Sequence, residues 1–478
     1  MIGHIARNEW RNLVAERAVA PLAILLTLLI AYGLYNGVEW NRFREATLEE
    51  TKAEQQKRLR KLERSLKEIE AGTRKPTGFQ DPRSGGAIGG TTGVPYVTMP
   101  PGPLAPLAVG QSDLYPYYFK ISLRSKQTTL NNDEIENPVN LLAGRFDLAF
   151  VIVYLYPLLI LALSYNLLSA EKEQGTLALT LANPVSLAQL LTGKVVARAG
   201  LMLGLSVGIT AVAVLLAGLD WGREGAAARL GLWMAVVVSY GVFWFALAVA
   251  VNAWGRSSAT NALVLAGIWL GIAILVPSLL HLVSSSLYPV PSRVEMIQAM
   301  RNAGKEAQKK GSQTLARFYE DHPELAPASA GQAPDFASLT YAAQMEVDRM
   351  VEPILKRFDQ QVASQQAVVD RFSYLSPAVL AQQALNDIAG TGLGAYQHFN
   401  GQADRFLKSW QDYFFPKIFA REKLTSAALE QLPRYRYEEE PVGPVSGRVA
   451  AALAGMLLPA ALAAWMAMVK LRGYQVAG

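Results

Sequence analysis

The chain has 478 residues, with 45 Lys and Arg against 39 Asp and Glu, and is 51% hydrophobic. Its charges are segregated: the windows 18–38, 148–170, 199–219, 230–255, 257–280 and 449–469 carry none, and each is long enough to cross a hydrocarbon core of ~30 Å as a helix. This excludes a wholly soluble enzyme; the net charge of +6 makes no case for nucleic acid, and zero cysteines exclude disulfides, Fe–S clusters and thiolate metal sites.

Residues 1–17 set Ile2, Ile5, Leu13 and Val14 among arginines, with Trp10 at interface level. They predict a helix lying along the membrane surface. The first span is 18–38. It is read as uncleaved, because Glu9 and Glu16 precede it and no small-x-small site follows before Glu39. The first insertion, 39–147, opens with Leu59, Leu62, Leu66 and Ile69 at helical spacing among balanced charges, which predicts an amphipathic helix able to pair as a coiled coil. Nine Gly and seven Pro over 72–110 predict irregular structure.

Spans two to five follow at 148–170, 199–219, 230–252 and 259–283. Pro157 and Pro277 are expected to kink two of them. Gly200, Gly204 and Gly208 form a stripe on span three, and Gly267 and Gly271 repeat it on span five; both predict helix–helix seams. The second insertion, 284–447, is mostly helical. Val347, Val351, Ile354, Phe358, Val362, Val369 and Phe372 fit one face of a long helix around Pro353, and a second helix-rich stretch runs near 402–432. Neither insertion shows strand alternation of any length. Span six is 449–469. The expected fold is therefore an all-α membrane protein of six spans with two insertions.

Lys172, Lys194, Arg198, Arg256, Lys470 and Arg472, with Arg7, Arg11 and Arg17, gather on one side of this arrangement. The bias places both termini and 171–198 in the cytoplasm and both insertions outside the inner (plasma) membrane, periplasmic in a Gram-negative cell.

No catalytic set emerges. Gly204-Leu-Ser206-Val-Gly208 matches a nucleophile elbow only on paper, since it lies within a span. Ser169-Ala-Glu-Lys172 lacks its partner motifs. Gly193-Lys194 is preceded by Ala188 where a phosphate loop needs Gly and followed by Val195 where it needs Ser or Thr, so there is no Walker A motif. His4, His281, His322 and His398 are scattered, and no metal site is expected. No span holds an interior Asp, Glu, Lys or Arg, so any transport needs an energy source on another subunit.

The informative stretch lies between spans two and three: Glu171-Lys-Glu173-Gln-Gly175-Thr176-Leu177, then Asn183-Pro184-Val185-Ser186, then Gly193-Lys194. The acidic pair suits a helix start, 176–182 is apolar enough to seat in a groove, and Asn183-Pro184 stops the helix. This pattern resembles the signature of ABC-2 type transporter permeases over about 25 residues. Leu375-Ser376-Pro377 to Ala389-Gly390-Thr391, with Tyr396-Gln-His-Phe399, is similar to a segment of the subfamily with large extracytoplasmic domains. The resemblance implies a connecting helix at 1–17 and a partner ATPase subunit that binds ATP and Mg. It also implies a second permease chain, identical or related, and docking of the ATPase on 171–198. The residues carried over are Glu171, Glu173, Gly175, Thr176, Leu179, Pro184 and Lys194. Membrane lipid and an extracytoplasmic protein complete the expected partners. The alternative from another class is a polytopic membrane scaffold whose outer helical domains bind partner proteins without transport.

Overall fold

The computed structural model describes residues 2–15, 19–76, 81–123, 145–216, 222–223, 225–289, 293–309, 311–321 and 336–474. Arg17, His322 and the expected end of span three at 217–219 lie outside them. The structure is mainly helical, and six helices are long and apolar enough to cross a membrane: Val19–Glu70, Leu148–Glu173, Leu187–Leu215, Ala226–Asn252, Ser258–Leu287 and Val442–Leu471. The core forms around span four, whose Trp233, Tyr240 and Trp244 are fully buried, and which packs against spans two, three and six.

Two helix boundaries and one ladder differ from the expectation. The helix of span one does not stop near residue 38; Val19–Glu70 is one continuous helix, because nothing between Gly37 and Gly72 breaks it. Leu62 and Leu66 on its far half are buried with Val97, Phe119, Phe399, Trp410 and Phe414. The predicted coiled-coil stripe is thus the spine of an insertion domain, not a helix pair. The helix of span three starts at Leu187, ahead of the apolar window that opens at 199. Ser186 and Gln189 cap it reciprocally, backbone N to Gln189 Oε1 at 3.0 Å and backbone N to Ser186 Oγ at 3.2 Å, a capping box legible in the sequence. Lys194 and Arg198 therefore stand on a helix. Finally, the insertion domain contains a short ladder, β1 (Tyr96–Thr98) antiparallel to β2 (Tyr118–Lys120), with Val97 opposite Phe119.

Pro157 and Pro277 each follow a π-helical turn, Val151–Leu155 and Gly271–Leu275. A proline has no N–H to close the preceding turn, and widening that turn relieves the ring's clash. Between spans five and six, Phe336–Phe372 is one long helix. A single turn, Ser373–Leu375, leads to helix Pro377–Ala389, whose Ala378, Leu380, Ala381, Ala384, Leu385 and Ile388 are buried. This helix packs against spans four and six and both π turns. It was expected within the outer insertion; it is instead packed on the bundle, because Ala378, Leu380, Ala381, Ala384, Leu385 and Ile388 form one broad apolar face opposite Gln382, Gln383 and Asp387.

Close approach happens at glycines other than the expected ones. A Cβ on Gly37 would lie 1.9 Å from the Pro106 carbonyl oxygen, and one on Gly33 would lie 2.8 Å from the Asp147 carbonyl carbon. The first insertion thus folds back onto span one. Gly200, Gly204, Gly208, Gly267 and Gly271 would meet nothing within 4 Å, so no described part of this chain packs on either predicted stripe.

Candidate functional site

The termini, the connection between spans two and three, and the turn between spans four and five share one end of the bundle. Helix Ser169–Glu173 ends at Gly175, which takes the left-handed conformation (φ 71°), and helix Thr176–Leu181 starts there. Asn183 caps that helix by donating its side-chain amide to the Leu179 and Thr180 carbonyls, and Pro184 prevents continuation.

The acidic pair is committed within the chain. Glu171 Oε1 lies 2.8 Å from Lys194 Nζ, which also donates to the Leu167 carbonyl at 3.0 Å. Lys194 is 6% exposed, so removing either partner strands a largely buried charge and costs more than breaking a surface pair. Glu173 accepts from Ser258 N at 2.7 Å and Ser258 Oγ at 2.9 Å, holding the start of span five where a carboxylate suits the helix dipole. Between them, Lys172 donates to the Gly255 carbonyl and sits over the Tyr474 ring. Glu171 and Glu173 were expected to meet basic groups on a partner; in the structure they tie the connection to spans three and five.

The N-terminal helix, Ile2–Ala15, crosses the base of span three. A Cβ on Gly193 would lie 2.6 Å from Ile5 Cγ2, and Glu9 pairs with Arg198 at 2.7 Å. Arg198 also donates to the Leu163 carbonyl and to Asn166 Oδ1. The Gly-Lys pair at 193–194 thus has a local account: Gly193 admits the helix and Lys194 holds Glu171.

Beneath lies a buried polar seam. Asn252 donates to the Ser164 and Ala248 carbonyls at 2.9 Å, and Asn261 to Asn252 Oδ1 at 3.4 Å. Ser169 Oγ is 2.8 Å from Ser258 Oγ. Sequence reasoning missed Glu9, Arg198, Asn252 and Asn261. The signal was present: Asn252 and Asn261 are amides in otherwise apolar runs.

What remains for an external partner is the opposite face of Thr176–Leu181. Leu177 is buried with Leu167, Leu168, Leu190 and Leu191, while Leu179 is 72% exposed. Thr176, Ala178 and Pro184 are exposed beside it. Among the described residues, no group of three or more His, Asp or Glu could hold a metal ion.

Residues 293–438 match the model of a domain of unknown function, DUF3526. That segment begins after span five and includes the bundle-embedded helix Pro377–Ala389. No curated protein matches the chain.

Proposed function

We propose that the chain is the membrane subunit of an ATP-driven ABC-2 type transporter. In this reading a separate ATPase subunit, which binds ATP and Mg, docks on the 171–194 connection. A second permease chain completes the assembly. The docking end faces the cytoplasm, and both insertions lie outside the inner membrane. The observation that carries the reading is the helix Thr176–Leu181, which offers an exposed Leu179 while its base is tied to spans three and five. A helix so tied converts a push on Leu179 into span movement, whereas a free loop would dissipate it.

The roles within the motif follow from these contacts. Glu171, Glu173 and Lys194 set the position of the helix; Gly175 makes its sharp start; Thr176, Leu179 and Pro184 form the surface a partner meets. The partner's groove is therefore apolar rather than basic. Full-length chain purified from its native membranes with its associated subunits is expected to carry ATPase activity. Leu179→Asp is expected to lower that activity at least tenfold while the chain melts as wild type. A complex without ATPase activity, or one indifferent to Leu179→Asp, would refute the reading. Sidedness has its own test, since the chain has no cysteine: on intact cells an impermeant thiol reagent is expected to label Ser84→Cys and spare Gln174→Cys.

A further inference from the structure

The two π turns and the foot of helix Pro377–Ala389 meet in one layer of the bundle. At both breaks, carbonyls of the widened turn accept from donors on another element. Tyr240 Oη donates to the Val153 carbonyl at 2.9 Å, four residues before Pro157. Trp269 Nε1 donates to the next carbonyl, Tyr154, at 3.2 Å. In span five, Val276 N bonds Gly271 across the widened turn. The next carbonyl in that register, Ile272, would take its donor from position 277, which is proline. Ser376 Oγ donates to it at 2.6 Å, and Ser376 is fully buried.

The first two donors join span to span. The third comes from the insertion between spans five and six. The other end of the same helix is held firmly. Arg229 donates to the Ile388 carbonyl at 3.0 Å and to the Glu440 carbonyl at 2.8 Å. Arg448 reaches Asp387 at 2.6 Å and Glu440 at 2.9 Å. Thirteen helical residues make a rod of about 20 Å. It runs from this charged knot, where the insertion domain joins spans four and six, to the weakest turn of span five.

We propose that helix Pro377–Ala389 is a strut by which the insertion domain sets the bend of span five, with Ser376 as its contact and the Arg229–Arg448 knot as its anchor. A turn already widened and lacking an internal donor bends at little energetic expense. The Ser376 hydroxyl decides which bend is populated. A displacement of the insertion domain therefore reaches the core of the bundle without passing through the loops at the span ends. The inference does not rest on the ATPase reading.

The test is a distance across the turn. Leu263 and Leu282 are exposed on either side of it, nineteen residues apart, which is about 28 Å along a helix. Spin labels on Leu263→Cys and Leu282→Cys, in the full chain in lipid nanodiscs, report the bend by pulsed electron resonance. Ser376→Ala is expected to shift or broaden the distance distribution by several ångströms, and Ser376→Thr to keep the wild-type distribution. Arg448→Gln, at the far end of the strut, is expected to move it as Ser376→Ala does; Asp387→Asn serves if that variant does not fold. An unchanged distribution in Ser376→Ala or in the anchor variant overturns the proposal, as does a Thr variant that behaves like Ala.

Discussion

Of its most apolar window, span four buries 56% within the chain and span five buries 11%. Both are free of Asp, Glu and Lys in that window, and both are rich in Val, Leu and Ala. What separates them is where their bulky side chains lie. Span four brings Trp233, Tyr240 and Trp244 to the centre, all fully buried, and the Tyr240 hydroxyl holds a carbonyl of span two. Span five turns Leu263, Leu279, Leu282 and Leu287 outward. In water, apolar content drives a helix inside. In a bilayer, lipid solvates an aliphatic face as well as protein does, so content cannot rank the spans. The buried bulk of three aromatic side chains, with the Tyr240 bond to span two, marks the helix that becomes the core.

The sharpest way to break this comparison is at a helix whose neighbour is protein backbone. Gly37→Ala places a Cβ against the Pro106 carbonyl oxygen, 1.9 Å away before relaxation. Backbone cannot swing aside as a side chain does, so we expect a loss of about 3 kcal/mol, read as a lower melting temperature in detergent. A wild-type melt would show that residues 100–109 do not lie on span one.

The next effect tests a charged partner in place of a packed one. Lys194→Met leaves Glu171 without its cation in a largely buried setting, and we expect about 2 kcal/mol of destabilisation. Exchanging the two residues, Glu171→Lys with Lys194→Glu, is expected to recover part of it. If the single change is silent, the connection is held by Glu173 and the leucine cluster alone.

These contacts also show what could be read before the fold was known. Six apolar windows, two proline breaks and the stop at Asn183-Pro184 are local features, and the helices follow them. The capping box Ser186-x-x-Gln189 is equally local and marks where the helix of span three begins. Pairings are another matter. Glu171 and Lys194 are separated by a helix, a turn and a capping box, and Glu173 meets Ser258 from another span. Ser376 meets a carbonyl that is free only because of Pro277. The glycine stripes make the same point. Spacing shows that Gly200, Gly204 and Gly208 share a face, and Gly33 and Gly37 share one too; only the fold says which face meets protein.

The insertion domain offers a water-exposed contrast. Burial pushes the Asp81 carboxyl up, but Arg83 and Lys423 outweigh it and hold it at about 2. Arg83 lies 3.1 Å away and Lys423 also 3.1 Å. A carboxylate with a depressed value contributes stability that is present above its unfolded value of about 4 and lost as pH falls toward 2. Solvent screening limits the contribution to about 1 kcal/mol. Asp81→Asn is expected to melt lower at pH 7 and to lose less on acidification than wild type. Parallel pH profiles would show that Lys423 does not tie this loop down.

The smallest effect on the isolated chain is expected at Gly204→Leu, and it decides what the open face of span three meets. A side chain added there finds nothing within 4 Å, and leucine favours a helix over glycine by about 1 kcal/mol. The melting temperature should therefore stay level or rise slightly, in direct contrast to Gly37→Ala. A melt lowered by several degrees would place some part of this chain against the stripe. Self-association is a separate measurement, made by energy transfer between donor- and acceptor-labelled chains diluted in liposomes. If the stripe seats a second permease chain, removing the close approach loses about 1–2 kcal/mol, and association weakens roughly tenfold. If association is unchanged, lipid covers the stripe, and any self-association uses another surface such as the exposed leucines of span five.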